Sequence, residues 1–199
     1  MGYGDSWLRH TGGLVAHNEV ALHVFNELSR WDPRNVLVVG AGNGGALEIW
    51  REVLGKGSSV CGLDWDFRAG DLEGVLVGDM SNGWIREALR GLWFDVIVDS
   101  TGAYAASVWP FLRAGGRIVL EKFEAERMDA LYIALLDDEE SWLPIEEVMS
   151  VTVYQSCAVI EKRHPRVVPY LNVMSGSRDS VVSEQFLQST GTKRVANPV

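Results

Sequence analysis

The stretch that most constrains this chain is NVLVVGAGNGG, Asn35 to Gly45. Val36 to Val39 form a continuous apolar run ending in glycine, the pattern of a strand buried on both faces of a parallel sheet. Gly40, Ala41, Gly42, Asn43, Gly44 and Gly45 then open a helical stretch, with Leu47, Trp50, Val53 and Leu54 at helical spacing up to about Leu54. A side chain at Gly40 or Gly42 would hinder both a tight turn and the close approach of a ligand to backbone. The helix start beyond offers free N–H groups and the positive end of its dipole to a carboxylate or phosphate. The loop satisfies GxGxG and GxGxxG alike, so it reads as a site for a nucleotide-like ligand or as a ligand-free turn.

Further strands and helices alternate downstream. Ser58–Asp64 and Gly74–Asp79 read as the second and third strands, and Ser81 or Asn82 as the cap of a short helix through Trp84, Ile85, Ala88 and Leu89. Phe94–Asp99 is a fourth strand; a helix with Val108, Phe111 and Leu112 leads through Gly115–Gly116 to a fifth, Arg117–Phe123. Met128, Leu131, Tyr132, Leu135 and Leu136 mark another helix. The segments Glu146–Gln155 and Cys157–Arg163, with little but Ser156 between them, read as a tight antiparallel hairpin. An N-terminal helix carries Val20, Val24, Phe25 and Leu28 on one face. The expected fold is α/β: a doubly wound, mostly parallel seven-stranded sheet with a C-terminal antiparallel hairpin.

The chain divides into residues 1–34, a helical or lid segment; 35–174, the main domain; and 175–199, a polar tail rich in Ser, Thr and Gly. With 199 residues, 47% hydrophobic and 23% charged, one domain with a sizeable core is expected and wholesale disorder is excluded. No apolar run reaches the length of about 18 residues that a membrane span needs. The first residues lack the basic and apolar regions of a secretory signal. Cys61 and Cys157 sit in apolar strand patterns and read as reduced buried thiols, so a cytoplasmic location is expected. The net charge of −9 disfavours nucleic acid and anionic membranes as partners.

Acids at the strand ends narrow the ligand. Asp64 closes the second strand, where a carboxylate accepts from ribose hydroxyls, and Trp65 beside it is placed for an adenine face or for core packing. Asp79 closes the third strand in position to accept from an adenine amino group, and Asp99 closes the fourth. A lone strand-end aspartate is often a turn residue. Four successive strands ending in Gly or Asp converge where open parallel sheets bind ligands, which points to an adenosine-containing molecule.

Together these residues resemble a class I S-adenosylmethionine-dependent methyltransferase over roughly Asn35 to Lys162, and the terminal antiparallel strand is the mark of that version of the fold. The stretches GGALEIWREVLGKGSSVCGLDWD, VGDMSN and VTVYQSCAVIEKR look like macrocin-type sugar O-methyltransferases and cephalosporin hydroxylase-like proteins. The resemblance implies a Rossmann-like methyltransferase fold, S-adenosylmethionine as cofactor and methyl transfer to a hydroxyl of a small-molecule or sugar-like acceptor. It implies that Gly40, Ala41, Gly42, Asn43 and Gly44 line the methionine and ribose part, that Asp64 holds the ribose beside Trp65, that Asp79 and Met80 enclose the adenine, and that Asp99 lies near the methyl group.

The subfamily pattern has two adjacent acids after the fourth strand, a histidine soon after, and a Glu-Asp pair after the fifth, which bind magnesium and help deprotonate the acceptor. Here Asp99 is followed by Ser100, Tyr104 stands where the histidine is missing, and Glu121 is followed by Lys122. Asp99 and Glu121 alone are a poor magnesium set, and an adjacent ammonium repels the ion, so metal dependence is expected to be weakened or lost. Glu121, Lys122 and Tyr104 are the candidate bases, with Asp99 beside them; Lys122 either replaces part of the cation's charge or pairs with a surface acid. His10 and His17 are candidates for a closing segment, whereas His23 and His164 read as structural. Two other classes remain open: a noncatalytic methyltransferase-like assembly protein, joined to a partner or a second copy by the tail, and an NAD-type oxidoreductase.

Overall fold

The computed structural model describes Ser6 and residues 19–121, 143–154 and 157–164. Its strands are β1 (Asn35–Val39), β2 (Ser59–Asp64), β3 (Val75–Val77), β4 (Phe94–Asp99), β5 (Leu112–Glu121), β6 (Val148–Val153) and β7 (Cys157–Lys162), and its helices are α1 (Glu19–Arg30), α2 (Gly45–Leu54), α3 (Gly83–Leu89) and the single turn α4 (Ala105–Val108). All seven strands form one sheet in the order β3-β2-β1-β4-β5-β7-β6. The first five run parallel; β6 and β7 form the expected antiparallel hairpin, and β7 inserts between β5 and β6.

Alternation along the central strands divides the core in two. Val36, Val38, Val96, Val98 and Val119 face one side, where Val24, Phe25 and Leu28 of α1 and Leu47, Ile49 and Trp50 of α2 cover them. Leu37, Val39, Ile97, Ile118 and Leu120 face the other, against Ile85 and Leu89 of α3 and Val108 and Trp109 beyond it. A sheet covered on both faces is why these strands read as unbroken apolar runs. Phe25 meets Trp50 edge to face with centroids 6.0 Å apart, a favoured aromatic geometry that fixes α1 on α2. The helical part of the N-terminal segment therefore belongs to the core. Among the described residues, no helix is long and apolar enough to cross a membrane.

Several boundaries differ from expectation. The helix expected through Val108, Phe111 and Leu112 is only α4 followed by a 3-10 turn, Trp109–Phe111, and Leu112 already begins β5. Pro110 has no N–H to give the carbonyl of Ala106, so the α-helix cannot continue. The early start of β5 has its own cause: β4 pairs with β5 at Phe94↔Leu112 and next at Val96↔Arg117, so residues 113–116 bulge out opposite Asp95 alone. The bulge brings Arg113 to within 2.6 Å of the buried Asp95 carboxylate, which also accepts from the backbone N–H groups of Arg34 and Asn35 at 2.5 and 2.9 Å. A Cβ at Gly116 would lie 2.8–3.0 Å from Leu112 and from the carbonyls of Arg113 and Asp95, so no larger residue passes there.

Residues 145–147 form a 3-10 turn before β6 rather than strand. Asn82 takes the cap position of α3, but its side chain makes no capping bond. The expected helix around Met128–Leu136, residues 1–5 and 7–18 with His10 and His17, Lys122 and the tail lie outside the described residues.

Candidate functional site

The register of the sheet sets the site. Val39 lies opposite Leu63 on one side and Asp99 on the other, and Asp64 lies opposite Val77, so four strands end at one level. Backbone bonds continue that alignment into the loops: Gly40 N–H donates to Leu63 O at 2.8 Å, Ser100 N–H to Val39 O at 3.0 Å, and Gly78 N–H to Asp64 O at 2.7 Å.

Gly40 has φ +80°, and a Cβ there would meet the Thr101 methyl group at 3.0 Å, so conformation and space both demand glycine. Gly42, at φ +56°, is different: a Cβ would meet nothing within 4 Å, because the residue faces open cavity. Asp64, only 4% exposed, accepts from Gly42 N–H at 2.7 Å on one oxygen and from Asp66 N–H at 2.8 Å on the other. The acid thus clamps the bend and its own loop while keeping lone pairs toward the cavity.

The cavity, of about 560 Å³, lies within the usual range for small-molecule and cofactor sites. Gly40, Gly42 and Asn43 form one wall, Asp64 and Trp65 a second, and Ser100 and Thr101 a third. Five of the expected cofactor residues therefore line it. Ala41 instead turns its methyl into the core, Gly44 packs beneath Leu72, and Met80 is buried among Ile85 and Leu89. Asp79, Asp99, Tyr104 and Glu121 surround the cavity without lining it. Trp65 is 54% exposed, which removes core packing as its role.

The 3-10 turn Phe67–Asp71 adds Asp66, Arg68, Ala69 and Leu72 to the lining, a contribution the sequence reading missed. Asp66 accepts from Arg68 N–H at 3.0 Å and pairs with its guanidinium. These hydrogen bonds from the Arg68 side chain and backbone hold the Asp66 carboxyl down at about 2. The signal was present as an Asp two residues before an Arg just after a strand, an Asx-type turn.

Asp99 is fully buried and wholly occupied by its own loop. One oxygen accepts from Thr101 N–H (3.0 Å), Thr101 Oγ1 (2.6 Å) and Gly102 N–H (3.0 Å), and the other from Tyr104 N–H (2.8 Å). Glu121, at the end of β5, accepts from Ser100 Oγ at 2.5 Å. Asp79 accepts from Ser81 N–H at 2.6 Å and from the Tyr104 hydroxyl at 2.8 Å; the Ser81 bonds, then the tyrosine, lower its pKa. The reciprocal effect on Tyr104 is large: the Asp79 bond, burial and the charges of Asp79, Asp99 and Asp64 push its hydroxyl up to about 12. Among the described residues, no group of three or more His, Cys, Asp or Glu side chains is placed to hold a metal ion.

No protein-family model and no curated protein matches the sequence. Solved structures do match in shape. One is the MycE methyltransferase of the mycinamycin biosynthetic pathway, with Mg, S-adenosylhomocysteine and mycinamycin VI, at TM-score 0.61 and 18% identity over 85% of this chain. The match spans only 57% of the MycE chain. The Podospora anserina methyltransferase PaMTH1, bound to S-adenosylhomocysteine, matches at TM-score 0.54 and 14% identity over 81% of this chain and 87% of that one. A Bacillus cereus O-methyltransferase with the same ligand matches at 0.52 and 12%, over 81% and 90%. At these identities what is shared is architecture: the chain has the Rossmann-like methyltransferase fold.

Proposed function

We propose that this chain carries an S-adenosylmethionine-dependent methyltransferase site acting on a hydroxyl of a small-molecule or sugar-like acceptor. The observation that carries the reading is the joining of the Gly40–Gly44 bend to Asp64 at one cavity, at the carboxyl ends of β1, β2 and β4. S-adenosylmethionine supplies, when bound, a methyl group already activated on a sulfonium. The chain's task is then to bind, align and exclude water. Asp64 is the ribose acceptor, Trp65 an adenine face, and the positive end of the α2 dipole, where Gly45 N–H already donates to Asn43 Oδ1 at 3.2 Å, suits the methionine carboxylate. Acidic side chains around the cavity favour a cationic ligand.

Methyl transfer to a hydroxyl needs a place for the acceptor's proton. Glu121 is the candidate base, poised by Ser100, with Lys122 next in sequence; Tyr104 serves poorly, because a hydroxyl held at about 12 keeps its proton. Asp99 organises the loop that carries Ser100 to Tyr104 rather than touching the reacting atoms.

Asp99 and Glu121 do not fit magnesium. A cation would have to strip Asp99 of four hydrogen bonds and Glu121 of the Ser100 hydroxyl, with too few oxygens left to enclose it. The same occupation of the acids supports a second reading, a noncatalytic adenosyl-ligand-binding protein.

Native mass spectrometry of the freshly purified chain tests the binding step. Retained S-adenosylmethionine or S-adenosylhomocysteine is expected, and retention of a nicotinamide dinucleotide would overturn the reading. Methyl transfer to hydroxylated acceptors then separates enzyme from binding protein.

A further inference from the structure

The cavity reaches Trp65 but stops short of Asp79. Tyr104 stands between them: its ring stacks on Trp65 with centroids 6.0 Å apart and planes 23° from parallel, and its hydroxyl donates to Asp79 at 2.8 Å. Two rings at that separation leave no room for a third, since each stacked pair needs about 3.5–4.0 Å between carbons, or about 7 Å in all. The two groups expected to receive an adenine, an aromatic face and a carboxylate, are thus both engaged by one side chain.

We propose that Tyr104 is a gate on the purine end of this site, occupying Asp79 with its hydroxyl and Trp65 with its ring until an adenine-bearing ligand takes both. The inference rests on the functional reading above and assigns a residue that reading leaves without a role in binding. The geometry suits an exchange. Tyr104 N–H is anchored to Asp99 Oδ2 at 2.8 Å, so the side chain swings from a fixed backbone. Trp65 is exposed and Asp79 only half-buried, so neither partner needs repacking when the tyrosine leaves. Its hydroxyl, pushed up to about 12, remains a donor at any ordinary pH and holds the gate shut without a ligand. A gate of this kind favours ligands with an amino group on the purine, which repay the lost tyrosine bond to Asp79, over purines that lack one.

Calorimetric titration of the full chain with S-adenosylhomocysteine tests the gate, comparing the unsubstituted protein with Tyr104→Phe. The phenylalanine keeps the ring on Trp65 and removes only the hydroxyl, so binding is expected to tighten about three- to tenfold. An unchanged or weakened affinity overturns the gate while leaving the methyltransferase reading standing. Absence of binding by both proteins overturns that reading and the gate with it. Ultraviolet titration gives an independent readout once the Tyr104→Phe curve is subtracted, which separates Tyr104 from Tyr154, a hydroxyl that burial also raises. The Tyr104 hydroxyl is expected to ionise near 12 in the free protein and toward about 10 with the ligand bound. A Tyr104 difference signal still near 12 in the complex overturns the exchange.

Discussion

Asp64, at the tip of β2, accepts the backbone N–H of Gly42 at 2.7 Å, so the acid and the glycine bend form one hydrogen-bonded unit 22 residues apart in sequence. A second backbone donor, Asp66 N–H, occupies the other oxygen. Asp64→Asn keeps the shape but turns an NH₂ group toward one of two N–H donors. It is expected to lower unfolding free energy by about 1–2 kcal/mol and to weaken S-adenosylhomocysteine binding at least about tenfold, read by urea denaturation and calorimetry. A variant that binds like the parent would remove Asp64 from the ligand site.

Asp99 carries four hydrogen bonds without exposure, so Asp99→Ala leaves buried backbone donors unmatched. A stability loss of about 2–4 kcal/mol is expected, against less than about 1 kcal/mol for Ser100→Ala next to it. Equal and small losses would show that the loop does not depend on this carboxylate.

Magnesium should neither bind nor matter. Calorimetric titration is expected to show no saturable binding below about millimolar concentration, with or without S-adenosylhomocysteine, and EDTA should leave ligand affinity unchanged. Micromolar affinity would overturn the assignment of Asp99 and Glu121 to internal hydrogen bonds.

The two thiols should behave differently. Burial, and then the charge of Glu121, push Cys157 up to about 12 from a usual value near 9. Below about pH 9 folded and unfolded chains both keep that proton; between 9 and 12 only the unfolded chain releases it, so stability falls as pH rises. Cys157→Ala is expected to flatten this alkaline decline. At pH 8 a thiol reagent should modify the partly exposed Cys61 first and reach Cys157 only on unfolding, as counted by mass spectrometry.

Gly62 lies in mid-β2 with no unusual backbone angle, yet a Cβ there would come within 2.8 Å of Val75, 3.1 Å of Leu47 and 3.2 Å of Ala41. Gly62→Ala should therefore cost about 1–3 kcal/mol by overpacking, although alanine normally suits a strand better than glycine. A melting temperature equal to the parent's would contradict the close packing of α2 on β2.

By itself the sequence determined the succession of strands and helices and a mostly parallel sheet, though not the lateral order of its strands. Apolar runs such as Val36–Val39 and Val96–Val98 declare burial on both faces, and the glycine bend declares where a strand meets a helix. It also determined the terminal hairpin and the acids at the strand tips. The occupation of those acids was decided only by tertiary structure. That Asp99 is consumed by its own loop, Glu121 by Ser100, and Asp79 by Tyr104 depends on sheet register and loop paths. So does the bulge of residues 113–116, which answers a buried aspartate on the neighbouring strand. Periodicity reports which face of an element is apolar; it carries no record of which donor reaches a given carboxylate, because that donor comes from a distant part of the chain.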